Sequence, residues 1–130
     1  EMVSVINSKA DLAVRDTCSQ LLSVLQNIIM TKYYNQYSPR EYKRTMAFFS
    51  SAISRMVGTA CGEILMDKDV MNSYKNWTGK TQLEYANQGY HGSPDIQTDG
   101  RFWDEFIAYC DKNAIKILRQ ELKNQGFTLV

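Results

Sequence analysis

The stretch Ile53-Ser54-Arg55-Met56-Val57-Gly58-Thr59-Ala60-Cys61-Gly62-Glu63-Ile64-Leu65-Met66 decides the fold class. Before it, apolar residues recur every three or four positions. Within it, Met56, Gly58, Ala60 and Gly62 alternate with other residues, and Ile64 and Met66 continue in steps of two. A period of two, with β-branched residues and two glycines, argues against helix and predicts one long strand or a hairpin. A glycine inside a strand often marks a bulge, so one is expected near Gly58 or Gly62.

On the N-terminal side, Val14, Cys18, Leu21, Leu22, Leu25, Ile28 and Ile29 share one helical face, and Arg15, Asp16, Ser19, Gln20 and Asn27 take the other. The spacing predicts a long amphipathic helix at about 9–34, with Ser8 as its N-cap. Ser38-Pro39-Arg40-Glu41 then combines a cap, a proline suited to the first helical position and a capping-box glutamate. A short helix is expected from there to about Ser50, with Tyr42, Met46 and Phe49 on one face.

Beyond the alternating stretch, Asp67 to Tyr74 suits a short helical turn and Thr81 to Asn87 a second short helix ended by Gly89. The loop His91-Gly92-Ser93-Pro94-Asp95 is rich in turn formers. A last long helix is expected at about 100–125, with Phe102, Phe106, Tyr109, Cys110, Ile117 and Leu118 as its apolar stripe and Gly126 at its C-terminal cap. The expected architecture is one α+β domain over residues 1–130. Two long amphipathic helices and shorter helices pack on a small, mainly antiparallel sheet.

Composition narrows the function classes. The chain has 130 residues, 44% hydrophobic and 22% charged, which is ordinary for a globular domain able to bury a core without disulfides. A formal net charge of +1 speaks against a strongly charged nucleic-acid clamp. The longest apolar-rich stretch, Leu21 to Met30, is broken by Ser23, Gln26 and Asn27, well short of the roughly 18–20 residues that span a bilayer. Ser4, Asn7, Ser8, Lys9 and Asp11 interrupt any leader-like apolar core. Cys18, Cys61 and Cys110 are scattered, form no CxxC pair and read as reduced, mostly buried thiols.

Catalytic signatures are fragmentary. Thr78-Gly79-Lys80-Thr81 resembles part of a phosphate loop, but Tyr74 stands where the leading glycine would be. His91 lies near Asp95 and Asp99 in a turn-rich loop, and no spacing adds a nucleophile. Asp104 and Glu105 are adjacent on a helix and point apart, so they are not a carboxylate pair. No catalytic, cofactor-binding or metal-binding residue is assigned, and no enzyme activity is expected.

Interface chemistry is better represented. Tyr33, Tyr34, Tyr37 and Tyr42 interleave with Lys32, Arg40, Lys43 and Arg44. Such a set suits base stacking with phosphate contacts, a packed helix corner or a protein–protein contact, where tyrosine and arginine are enriched. Charge is also segregated: bases dominate from Lys32 to Arg55, whereas Glu84, Asp95, Asp99, Asp104, Glu105 and Asp111 outnumber Arg101 later on. Opposite patches either pair within one monomer or mate head to tail between copies.

The segment Tyr33-Tyr34-Asn35-Gln36-Tyr37-Ser38-Pro39-Arg40-Glu41-Tyr42-Lys43-Arg44-Thr45 resembles a pattern in small neck proteins of tailed phages of Gram-positive bacteria, the head–tail connector or tail-completion family. Gly89-Tyr90-His91-Gly92, the Phe102 to Gln125 helix and Gly126-Phe127 extend the resemblance, while Met46 stands where an aromatic is frequent. The resemblance implies a non-catalytic structural protein without cofactors, made in the bacterial host cytoplasm and then part of the virion. Its partners would be copies of itself and neighbouring head or tail proteins, with no membrane and only incidental nucleic acid. The contact candidates are Tyr33, Tyr34, Tyr37, Arg40, Tyr42, Lys43 and Arg44, with Asp95, Asp99 and Asp104 as the acidic counter-surface. A different class stays open: a small phage-encoded module that sequesters a ligand or inhibits a host defence protein.

Overall fold

The computed structural model describes residues 2–32, 47–70, 83–84, 86–88 and 101–129. Helix α1 spans Met2–Lys32 and the short α2 spans Ala47–Ser50. Strands β1 (Ala52–Gly58) and β2 (Cys61–Met66) follow, then a 3-10 turn at Lys68–Val70 and the long helix α3 at Phe102–Asn124. Residues 83–84 and 86–87 are also helical, in the region expected to form a short helix. The fold is α+β, mostly helical, with a small antiparallel sheet.

The alternating stretch forms a hairpin. Its strands pair antiparallel from Ala52↔Met66 to Met56↔Gly62, and the register shifts between Met56 and Gly58, which pairs with Cys61. Val57 is therefore the extra residue of a bulge next to Gly58, where glycine was expected to mark one. Thr59 and Ala60 close the turn, with Ala60 in the left-handed region at φ 49°. Its amide donates to the Asp11 carboxylate of α1, which ties the hairpin tip to the helix. Across the strands Arg55 pairs with Glu63, an exposed cross-strand ion pair worth little on its own. At the open end the Asp67 amide donates to the Ser51 carbonyl at 2.6 Å. The Asp67 side chain then accepts from Asp69, starting the 3-10 turn.

Helix α1 begins at Met2, not after Ser8. Residues 2–32 contain no glycine or proline, so nothing interrupts the helix upstream, and Ser8 lies in its interior rather than at its cap. Its most buried residues, Ala13, Thr17, Leu21, Leu25 and Ile29, recur at steps of four. The Val14–Cys18–Leu22 row beside them is half-buried. Thr17 sits in this seam without an orphan hydroxyl, because it donates to the Ala13 carbonyl at 2.8 Å.

Helix α3 runs antiparallel to α1: Gln20 donates to Glu121 near one end, and Lys32 reaches Glu105 at the other. Between the two helices, α2 and the hairpin lies the core of Leu21, Leu25, Ile29, Phe48, Ala52, Ala86, Phe102 and Phe106. The C-terminus of α3 is closed as expected. Gly126 takes φ 93°, its amide donates to Lys123, and the Phe127 amide donates back to Leu122, which is a Schellman arrangement.

Gly62 seats the hairpin on α1. A Cβ at this position would lie 2.8 Å from Cys18 Sγ, 3.2 Å from Val14 Cγ1 and 3.3 Å from Met56 Sδ. Gly62→Ala should therefore lower stability by about 1–3 kcal/mol through overpacking. Cys18→Ala in the same chain should recover part of that loss. Urea unfolding of the single and double variants checks both, and full additivity of the two losses would show that the two sites are not in contact.

Candidate protein interface

The described residues that bracket the two candidate segments converge on the N-terminal end of α3. Residues 33–46 are bracketed by Lys32 and α2. Lys32 Nζ lies 3.5 Å from Glu105 Oε2. The Phe48 ring meets the Phe102 ring edge-on at 4.9 Å between centroids. Residues 89–100 are bracketed by Asn87-Gln88 and Arg101, and here Asn87 acts twice. Its carbonyl accepts the Arg101 amide at 2.6 Å and its Oδ1 accepts the Trp103 amide at 3.0 Å.

Asn87 is thus a helix cap supplied from 16 residues away. Arg101, the residue before α3, has φ 56° and no capping hydrogen bond from its own side chain, so the first-turn amides need another acceptor. Asp104 and Glu105 place negative charge on that same turn, which the helix dipole favours. The expected helix start near residue 100 moves to Phe102 accordingly.

Of the ten contact candidates, Asp104 is described and is exposed on the first turn of α3. Tyr33, Tyr34, Tyr37, Arg40, Tyr42, Lys43, Arg44, Asp95 and Asp99 lie outside the described residues, as do His91 and Thr78-Gly79-Lys80-Thr81. The described residues that flank these segments, Lys32, Phe48, Asn87 and Arg101, meet one another's neighbours around Phe102–Glu105. Asn87 and Trp103 organise this end without standing out in the sequence. Asn87 stood as the last residue of a short helix, and a cap acting across 16 residues leaves no local spacing signal.

Beside the same end lies an open, mainly apolar cleft of about 340 Å³. It is lined by Ile64 and Met66 of β2, by Leu83 and Asn87, and by Phe102 and Trp103 of α3. Trp103 also leans on Phe106 at 5.6 Å between ring centroids, which fixes one wall. The cysteines are elsewhere and less buried than expected: Cys18 and Cys110 are half-buried and Cys61 is exposed at the start of β2. Burial, and then the neighbouring Cys61, push the Cys18 thiol above its usual range; burial, and then Asp111, do the same to Cys110. Among the described residues no group of three His, Cys, Asp or Glu side chains is placed to hold a metal ion, and no helix is long and apolar enough to cross a membrane.

An antiparallel pair of long helices carrying one hairpin makes this a small, mostly helical α+β protein. The YomN family model matches residues 1–124, and the chain belongs to that family, a phage-derived group of the Bacillus phage SPBc2 type. No curated protein and no solved structure matches the chain.

The Asn87 cap gives a direct check of how this end is organised. Asn87→Ala should cost about 0.5–2 kcal/mol, whereas Asn87→Asp, which keeps the acceptor oxygen and adds charge at a helix N-terminus, should cost less or nothing. Thermal unfolding and amide exchange at Phe102–Glu105 read the difference.

Proposed function

We propose that this chain is a structural subunit of a tailed-phage particle, a head–tail connector or tail-completion protein that works by protein–protein contact and performs no catalysis. The observation that supports the reading is that the described residues flanking the Tyr33–Arg44 and Asp95–Asp99 stretches, Lys32, Phe48, Asn87 and Arg101, lie at the N-terminal end of α3, in a chain of phage-derived family. Rigid aromatic rings lose little conformational entropy on binding, and arginine adds bidentate contacts to carboxylates. In this reading the basic and acidic stretches of the sequence supply the contact with a neighbouring head or tail protein. In this reading the chain is made in the host cytoplasm and ends in the virion.

A second reading draws on the apolar cleft of about 340 Å³ bounded by Met66, Leu83, Phe102 and Trp103, whose size suits a small ligand. It corresponds to a phage-encoded sequestering module. The two diverge experimentally, since a sequestering module should gain thermal stability from one small ligand and be absent from particles.

Disrupting the gene in the parent phage should leave unjoined heads and tails, and the chain should appear in purified wild-type particles by mass spectrometry. Arg40→Glu with Lys43→Glu should slow assembly, because rim charges act mainly on association rate. Tyr37→Ala should weaken the joined state. Normal infectious particles from the disrupted phage, lacking the chain, would end the connector reading.

A further inference from the structure

Helix α3 carries its charges in two blocks. In residues 101–111 the acids Asp104, Glu105 and Asp111 stand against Arg101, and in residues 112–124 Lys112, Lys116, Arg119 and Lys123 stand against Glu121. Glu121 turns toward α1, where it accepts from Gln20, and Glu105 is met by Lys32. Asp104, Asp111, Lys112, Lys116, Arg119 and Lys123 are all exposed. Among the described residues Asp104, Asp111, Lys112, Lys116 and Lys123 form no ion pair, so these opposite charges do not neutralise one another within the monomer. Ala108 and Ile115, the latter 65% exposed, lie between them on the same outer face of the helix.

Such a helix is complementary to itself. Side by side and parallel, two copies of α3 would set acid against acid and base against base, which is unfavourable. Turned end for end, they set each acidic half against a basic half, twice over. One register satisfies the face residue by residue, with a two-fold axis passing between Asp111 and Lys112. Asp111 then lies opposite Lys112 of the second copy, Asp104 opposite its Arg119, and Ala108 opposite its Ile115. A small side chain faces a large one at both apolar positions, which lets the helices approach closely. At the edge of the face the aliphatic stem of Lys116 falls over Ile107, and Glu105 lies beside the same lysine. A polyanion such as duplex DNA would suit the basic half alone and meet Asp104 and Asp111 on the same face. A second copy uses both halves.

From this geometry we infer that two copies of the chain pair through the outer faces of α3 in antiparallel alignment, with Ala108 and Ile115 packed together and Asp104, Asp111, Lys112 and Arg119 setting direction and register. The contact is isologous, since both copies offer the same surface, so it closes at two copies rather than running head to tail. Exposed ion pairs contribute little each and the apolar patch is small. The charges therefore select the antiparallel arrangement more than they hold it, and the dimer is weak and sensitive to salt. The inference goes beyond the connector reading and does not need it, because particle assembly judges the one and the purified chain in solution judges the other.

Sedimentation equilibrium of the purified full chain should show monomer and dimer at about 100 µM in low salt, with association about ten-fold weaker in about 0.5 M salt. Asp111→Lys and Lys112→Glu should each weaken association about ten-fold or more on their own, because each sets like charges opposite one another on both sides of the axis. Circular dichroism should remain that of the wild type, as both sites are exposed. Mixed in equal amounts, the two variants should pair again, since every acid of one then faces a base of the other. Ile115→Asp should weaken association with no rescue by either variant. A wild type that stays monomeric at about 100 µM in low salt would overturn the inference, and so would two charge variants that fail to pair when mixed. Binding of a DNA duplex by a chain that does not self-associate would overturn it too, assigning the basic half to a polyanion.

Discussion

A two-stranded hairpin is at best marginally stable in water, because it buries too little apolar surface to offset the cost of ordering its chain. Here the hairpin of residues 52–66 is the whole described sheet, so its persistence depends on how closely it lies on α1. Gly62 allows that approach, with Cys18 and Val14 of the helix filling the space a side chain would occupy. Asp11 secures the tip, and Ser51, fully buried and donating to Phe48, holds the mouth. Once the hairpin is seated, Ile64 and Met66 supply the floor on which Phe102 and Trp103 complete the far end.

Local periodicity made much of this legible. The change from steps of three and four to steps of two at Ile53 is a property of neighbouring residues, so it survives without tertiary information. Gly126 was legible for a similar reason, since a glycine after a long amphipathic run has one common use. The start of α1 was not. Ser8 has the chemistry of a cap, but a cap residue stops nothing by itself when the residues before it lack a breaker. Asn87 escaped for the opposite reason, because its partner amides belong to a helix 16 residues on. For the candidate contact residues, sequence supplied the residue types of Tyr33–Arg44 and Asp95–Asp104. It carried no sign that the flanking residues Lys32, Phe48, Asn87 and Arg101 come together at one end of the helix pair, which depends on the antiparallel packing of α1 and α3.

That packing gives the two ends of the described structure different contacts. At one end Lys32, Phe48, Asn87 and Arg101 meet the first turn of α3. At the other, residues 2–9 of α1 are exposed. Ionic contacts add little to the pairing itself, because Glu105 is half-exposed in its contact with Lys32. The apolar seam of Leu21, Leu25 and Ile29 against Phe102 and Phe106 fixes the relation between the ends.

The bare end of α1 has a thermodynamic character of its own. Starting a helix is the unfavourable step, and the packed turns from Ala13 onward have already taken it, so residues 2–9 extend an existing helix at low cost. With few tertiary contacts among the described residues, they open at free energies below that of unfolding the body. The helical order of residues 2–9 is thus lent by the packed turns from Ala13 onward rather than held by contacts of their own.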